Sequence, residues 1–173
     1  LDNCLYEIQV EIGNELSAPH RAYGYYLLEQ LVRYTNLEES EDFISTILKY
    51  ILSAISETDA DVLESVSNTL GAALEVIDMD LLSEEIDFVR SCITSTVSDA
   101  RHRADKKHII DAVTGHVHLP FFALRRAFDS MLALFNYGLM NGDSGIRVSS
   151  CYGISEILVL CDPASLKPYM SKL

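Results

Sequence analysis

Residues 43–77 read FISTILKYILSAISETDADVLESVSNTLGAALEVI, and their spacing decides the fold. Phe43, Ile44, Ile47, Leu48, Ile51, Leu52 and Ile55 recur at three- and four-residue intervals. That period puts them on one face of a helix and excludes the alternation of a half-buried strand. The acidic turn Glu57-Thr58-Asp59-Ala60-Asp61 ends the run, and Val62, Val66, Leu70, Ala73, Leu74 and Ile77 begin a second stripe. The reading is two helices joined by a short turn. Each is too apolar to stand alone in water, and neither is long enough for a coiled coil.

Outward from this pair the same rhythm repeats. Residues 3–16 place Leu5, Ile8, Ile12 and Leu16 on one face. Ser17 and Pro19 then read as a stop followed by a proline-opened start. The next helix carries Tyr23, Tyr26, Leu27, Leu31 and Tyr34 and ends at Asn36. Ser40 is the expected N-cap of the helix at Phe43, with Glu41 and Asp42 suited to the positive end of its dipole. Downstream, Ser83 is the expected cap of a helix holding Ile86, Val89, Ile93 and Val97. The two caps are separated by about the 40–47 residues of a HEAT or armadillo unit. Repetition at that period predicts an all-α, HEAT/armadillo-like α-solenoid of antiparallel helix pairs, each burying its stripe on its neighbours.

The pattern breaks after Val97. Residues 1–98 read as helix pairs plus one extra helix, and 99–121 as one long basic, histidine-containing loop in place of the second helix expected there. A structureless loop longer than about 15 residues is uncommon in a compact array and tends to be functional or mobile. Residues 122–163 resume as a helix pair: Leu124, Phe128, Met131, Leu132, Phe135 and Leu139, then Ile146, Val148, Cys151, Ile154, Ile157, Leu158 and Leu160. Residues 164–173 start a further repeat. The chain opens on Leu1 and runs out inside an apparent helix, so a segment of a longer array is expected. In the turn Asn141-Gly142-Asp143, Asp143 followed by Arg147 matches the HEAT habit of an acidic turn residue and an arginine one helical turn later. Stacked repeats then form an Asp–Arg ladder; Arg147 is alternatively a partner contact.

Among 173 residues, 49% are hydrophobic, enough for one continuous core. The formal net charge of −13 repels a phosphate backbone on average, which disfavours generic nucleic-acid binding. No apolar run approaches the roughly 20 residues of a membrane span. Cys4, Cys92, Cys151 and Cys161 form no C-x-x-C pair and are expected to be buried small hydrophobes; reduced thiols suit the cytoplasm.

No catalytic constellation is present. There is no G-x-S-x-G elbow and no glycine-rich phosphate loop, and Gly142-Asp143-Ser144-Gly145-Ile146-Arg147 reads as a turn. His102, His108, His116 and His118 lie close in sequence, but no cysteine joins them and neighbouring cations disfavour a divalent ion, so no metal or other cofactor is expected. Gly24, Gly71 and Gly153 fall inside helices, where close helix contact is their expected use. The basic cluster is the remaining signal. Arg101, Arg103, Lys106 and Lys107, with Arg125 and Arg126, hold six of thirteen positive residues, and Phe121 and Phe122 sit between the groups. Arginine and phenylalanine bunched at a break in a repeat are the composition of a partner-binding patch; the alternative is a solvated loop with its phenylalanines in the core.

From Phe122 onward the chain resembles the HEAT-repeat translational activator of the kinase that phosphorylates the alpha subunit of initiation factor two, the general-control-nonderepressible activator family. The residues are Phe122-Ala-Leu124-Arg-Arg126, Gly138-Leu-Met-Asn-Gly142, Arg147 and Leu166-Lys-Pro-Tyr169. They stand where the family has Phe-x-Leu-Pro-Lys, Gly-Leu-Met-x-Gly, an arginine and Leu-Lys-Pro-Phe. Arg125-Arg126-Ala127 replaces the family's Pro-Lys-Gly, losing a helix-opening proline and adding charge. The resemblance implies a non-catalytic segment that binds the RWD domain of the kinase and of competing RWD proteins. It also implies ribosome contact through other parts of the full-length chain. A transport receptor or phosphatase scaffold is the other HEAT-based reading; a tubulin-binding module fits less well, because the chain has no tryptophan.

Overall fold

The computed structural model describes residues 2–35, 41–103, 109–161 and 166–167. Within them the helices are α1 (Asp2–Ile12), α2 (Ala18–Tyr34), α3 (Glu41–Ser53), α4 (Ala60–Val76), α5 (Met79–Glu84), α6 (Ile86–His102), α7 (Pro120–Ala123), α8 (Arg125–Asn141) and α9 (Ser144–Leu160). Ser40, the expected cap of α3, lies outside the described residues, as do Lys106, Lys107, His108, Asp162, Pro163, Pro168 and Tyr169.

Acidic side chains start three of these helices. Asp59 Oδ1 accepts from the backbone N–H groups of Asp61 (3.1 Å) and Val62 (3.2 Å) at α4. Asp78 accepts from Asp80 (2.8 Å) at α5, and Asp143 from Ile146 (2.9 Å) at α9. Each satisfies donors that a helix N-terminus leaves without partners. The expected cap at Ser83 is corrected: Ser83 sits buried inside α5, its hydroxyl donating to the Asp80 carbonyl, and α6 begins only at Ile86.

The helices form two layers. In one, α2 packs on α4 and α4 on α8; in the other, α3 packs on α6 and α6 on α9. Helices within a layer run parallel. Arg90 stacks over Tyr152, and Thr94 donates to Glu156 at the same offset of 62 residues, which aligns α6 with α9. At the helix starts, the Ser45 hydroxyl donates to Glu85 (2.6 Å), which aligns α3 with α6. The Thr69 hydroxyl reaches the Tyr25 carbonyl (2.9 Å) across α2 and α4. The expectation of a missing second helix after Val97 is therefore corrected: α8 takes that place beside α4, and α9 opens the next unit beside α6. The turn between α8 and α9 carries the chain from one layer to the other.

The core runs unbroken between the layers and includes Leu28, Ile47, Ile51, Leu70, Val89, Ile93, Phe128 and Phe135, each buried. Four stripe assignments in α1 and α2 fail. Leu16 is 100% exposed, outside α1, and Tyr23, Tyr26 and Tyr34 face solvent. The buried tyrosine of α2 is Tyr25, at 2% exposure, whose hydroxyl donates to the Tyr50 carbonyl (3.0 Å) and is pushed up to about 12 chiefly by burial. A tyrosine lets the helix roll by one position, because its ring is apolar and its hydroxyl accepts either setting. The cysteine expectation holds for Cys161, which is buried with its thiol directed at the Phe122 carbonyl (3.2 Å), and in part for Cys92, half-buried against the core; Cys4 and Cys151 are exposed. Gly24 allows the end of α1 to approach, since a Cβ there would stand 2.8 Å from Ile12 Cγ1.

Arg21 and Glu57 join α2 to the turn before α4, 2.9 Å apart and largely enclosed. Burial pushes the Glu57 carboxyl upward, but the N–H groups of Asp59 and Thr58 and the Arg21 guanidinium outweigh it and hold it below its usual range. A folded-state value below the unfolded one stabilises above the unfolded pKa of about 4.3, and that stabilisation fades as pH falls through the folded value. Glu57→Gln is accordingly expected to be less stable than the parent near neutral pH, with the gap closing below about pH 4. Urea midpoints at both ends of that range test it; a gap independent of pH rejects the account.

Candidate partner-binding surface

The cations adjacent in sequence are not adjacent in space. α6 continues through Asp99–His102, correcting the expected loop start at residue 99, and leaves Arg101 exposed in its last turn. Arg101 has no bonded partner among the described residues; Arg103, just past the helix, is also exposed. Arg125 opens α8, its side chain 81% exposed and 3.5 Å from Asp129. Arg125 lines a groove of about 540 Å³ between α4 and α8, in the other layer.

Arg126 is committed within the fold. Its guanidinium donates to Asn68 Oδ1 (3.0 Å) and to Glu75 Oε1 (3.4 Å). Glu75 also accepts from Arg33 (2.8 Å), so three charges bracket α2, α4 and α8. The Glu75 carboxyl is held low, first by the Arg33 hydrogen bond. Gly71 makes room for this clamp: a Cβ there would stand 2.5 Å from Arg126 Nε. That is a different use from the helix-to-helix contact expected of Gly71. Gly153 does have the expected use, lying against the Phe135 ring.

Phe121 and Phe122 are corrected outright as partner anchors. Both are 0% exposed, packed edge to face with centroids 5.4 Å apart. Two consecutive phenylalanines cannot both be buried on one side of an extended strand, but in the single turn of α7 both reach core between the layers. Arg101 on α6 and Arg125 on α8 thus stand in different layers on either side of these rings.

Arg147 stands apart again. It is exposed one turn into α9, about 18 Å of helix rise from Val159, where the Arg101 end of the layer lies. Asp143 spends its carboxylate on capping α9, and Gly142 is the C-cap residue of α8. Because the layer helices are parallel, the Asp143 turn lies at their N-terminal end, whereas the Asp59 turn follows α3 at the other. These two turns do not stack into one Asp–Arg ladder.

The segment between α6 and α7 has a structure the helical reading missed. Residues 109–118 fold back on an antiparallel bridge between Ile110 and Val117, with Gly115 at φ +68° in the turn. Asp111 Oδ1 accepts from the N–H (2.6 Å) and hydroxyl (2.9 Å) of Thr114 and from the N–H of Val113 (2.9 Å), which together hold its carboxyl low. Ile109, Val117 and Leu119 are buried. The hairpin docks on α9: His116 Nε2 lies 2.5 Å from the Val159 carbonyl, and the Leu119 N–H donates to Leu160 (3.3 Å). The alternation Val117-x-Leu119 after Thr114-Gly115 was the available signal.

Between α6, α9 and this hairpin lies a cleft of about 230 Å³ with mostly apolar walls and Arg101 on its rim. Sequence reading missed it, because Val97, Val117 and Val159 converge only through the hairpin. Among the described residues no three His, Cys, Asp or Glu side chains are placed to hold a metal, and no helix is long and apolar enough to cross a membrane. The chemistry available at these surfaces is apolar contact with scattered positive charge, which suits binding of a protein.

Comparison with known proteins finds no matching curated protein and no matching solved structure. The family described as stalled ribosome sensor GCN1-like, HEAT repeats, matches residues 3–126. The match runs from α1 into α8 and covers well over half of the chain, most of it upstream of Phe122. It stops at Arg126, short of most of the tail motifs. The matched span holds the helices from α1 to α7 and the start of α8, and the chain belongs to the stalled ribosome sensor GCN1-like HEAT-repeat family.

Proposed function

We propose that the chain is a non-catalytic scaffold segment that binds the RWD domain of the initiation-factor-two alpha kinase, and those of other RWD proteins. It thereby supports activation of the kinase on ribosomes during amino-acid starvation, in the cytoplasm. Membership of a family of stalled-ribosome sensors supports the ribosomal setting. One observation carries the choice of partner contacts: in a chain of formal charge −13, Arg101, Arg125 and Arg147 all present exposed guanidinium groups. Positive groups exposed on an acidic scaffold select partners with complementary acidic faces and steer their approach. Arg126 is excluded from this set by its clamp, and Phe121 and Phe122 by burial.

The test is capture of the kinase's RWD domain by the immobilised chain and by the Arg101→Glu, Arg125→Glu, Arg147→Glu triple variant. Capture is expected to weaken by at least about tenfold, since each reversed contact contributes on the order of 0.5–1 kcal/mol. Far-ultraviolet circular dichroism should stay unchanged. Undiminished capture by a fully helical triple variant rejects these residues as the contacts.

A further inference from the structure

We propose that the cleft between α6 and α9 is a docking socket for one branched aliphatic side chain that stands beside a carboxylate on an acidic partner segment. This rests on the reading of the chain as a scaffold that holds proteins, and it names a site and a ligand chemistry on it.

Four features fix the occupant. Ile93 and Val97 of α6, Val117 of the hairpin, and Val159 and Leu160 of α9 make the walls apolar. At about 230 Å³ the cleft is smaller than the roughly 300–1,000 Å³ of small-molecule sites and suits a single side chain. Val159 remains 55% exposed although both its neighbouring elements are packed, so it is open to contact. Charge decides the rest. Glu156, the acid in the cleft, is already engaged: its Oε1 lies 3.3 Å from the Thr94 hydroxyl and 3.7 Å from Arg90 Nε. Its Oε2 is closed off from solvent and has no hydrogen-bond partner among the described residues, so the Arg90 ion pair is what offsets its charge. The accessible charge is Arg101 at the mouth, exposed and without a bonded partner among the described residues. A ligand with its apolar end between the valines and its carboxylate at the mouth meets both. A lysine or arginine of a partner would instead place its cation against Arg101.

The probe is isocaproate, one branched alkyl chain ending in a carboxylate, with isocaproamide as its neutral counterpart. Both are titrated into the full chain and followed by methyl and amide nuclear magnetic resonance. Saturable shifts are expected at Val97, Val117 and Val159, with affinity on the order of millimolar for so small a ligand. Arg101→Gln should weaken isocaproate by about fivefold and leave isocaproamide unchanged. Val159→Arg, on an exposed position, should abolish the shifts from both. Shifts that never saturate, shifts that centre on the α4–α8 groove, or equal binding by the Arg101→Gln chain overturn the socket. RWD capture is read separately on the same variants. Isocaproate binding without RWD capture overturns the proposed partner and supports the socket.

Discussion

Phe122→Ala should lower the free energy of unfolding by about 3–5 kcal/mol, the usual cost of truncating a fully buried phenylalanine. A domain of this kind has a total of only about 5–15 kcal/mol, so the variant is expected to lose a third or more of its stability. The reason lies in the position of the ring. Phe122 is 0% exposed and packs edge to face on the equally buried Phe121. Its carbonyl also receives the Cys161 thiol, so the end of α9 leans on the same backbone. Truncation leaves a cavity between the two layers that neither layer closes without shifting the other. Chemical denaturation of parent and variant measures this directly. A surface anchor behaves differently, with a stability change within about 0.5 kcal/mol and the loss confined to binding. That outcome would return Phe122 to the role its neighbouring arginines suggested.

Gly153→Ala should destabilise the chain by about 1–3 kcal/mol, the usual cost of overpacking. In an open helix the same change stabilises by about 0.5–1 kcal/mol, because glycine loses more backbone freedom on folding. At Gly153 a Cβ would overlap the ring of Phe135, itself buried at 0% exposure and unable to swing away. α8 and α9 would have to separate. Gly145 is the internal control: it lies in the same helix, and its added Cβ would meet only Asp143 Oδ1, at 3.4 Å. Gly145→Ala should be neutral or stabilising. Thermal melts of the two variants should shift in opposite directions; parallel shifts would refute the close packing of α8 on α9.

These expectations separate what local pattern carries from what it does not. The apolar stripes at Phe43–Ile55 and Val62–Ile77 translate directly into α3 and α4, because burial of one face is a local consequence of period. Acidic caps at Asp59 and Asp143 are equally local, since the hydrogen bond spans three residues. Tyr25 against Tyr23 and Tyr26 is not local: three amphipathic rings leave the helix rotation open, and contacts with α3 and α4 select the one that points inward. Arg126 is less local still. Its partners Asn68 and Glu75 lie 58 and 51 residues away, and nothing near Arg126 distinguishes it from Arg125.

Sequence alone determined that this chain is a stack of helix pairs on a shared core, that its overall charge is acidic, and that its positive residues gather at one break in the repeat. Each of these is a property of composition or of neighbours within a few positions. Tertiary structure decided where α8 belongs, and with it the meaning of the break. A helix can be assigned from its own stripe, but its layer is set by which partner it buries that stripe against, over separations no local window contains. By seating α8 beside α4 and α9 beside α6, the fold buries Phe121 and Phe122, divides one basic cluster between two surfaces, and closes the apolar cleft beneath Arg101.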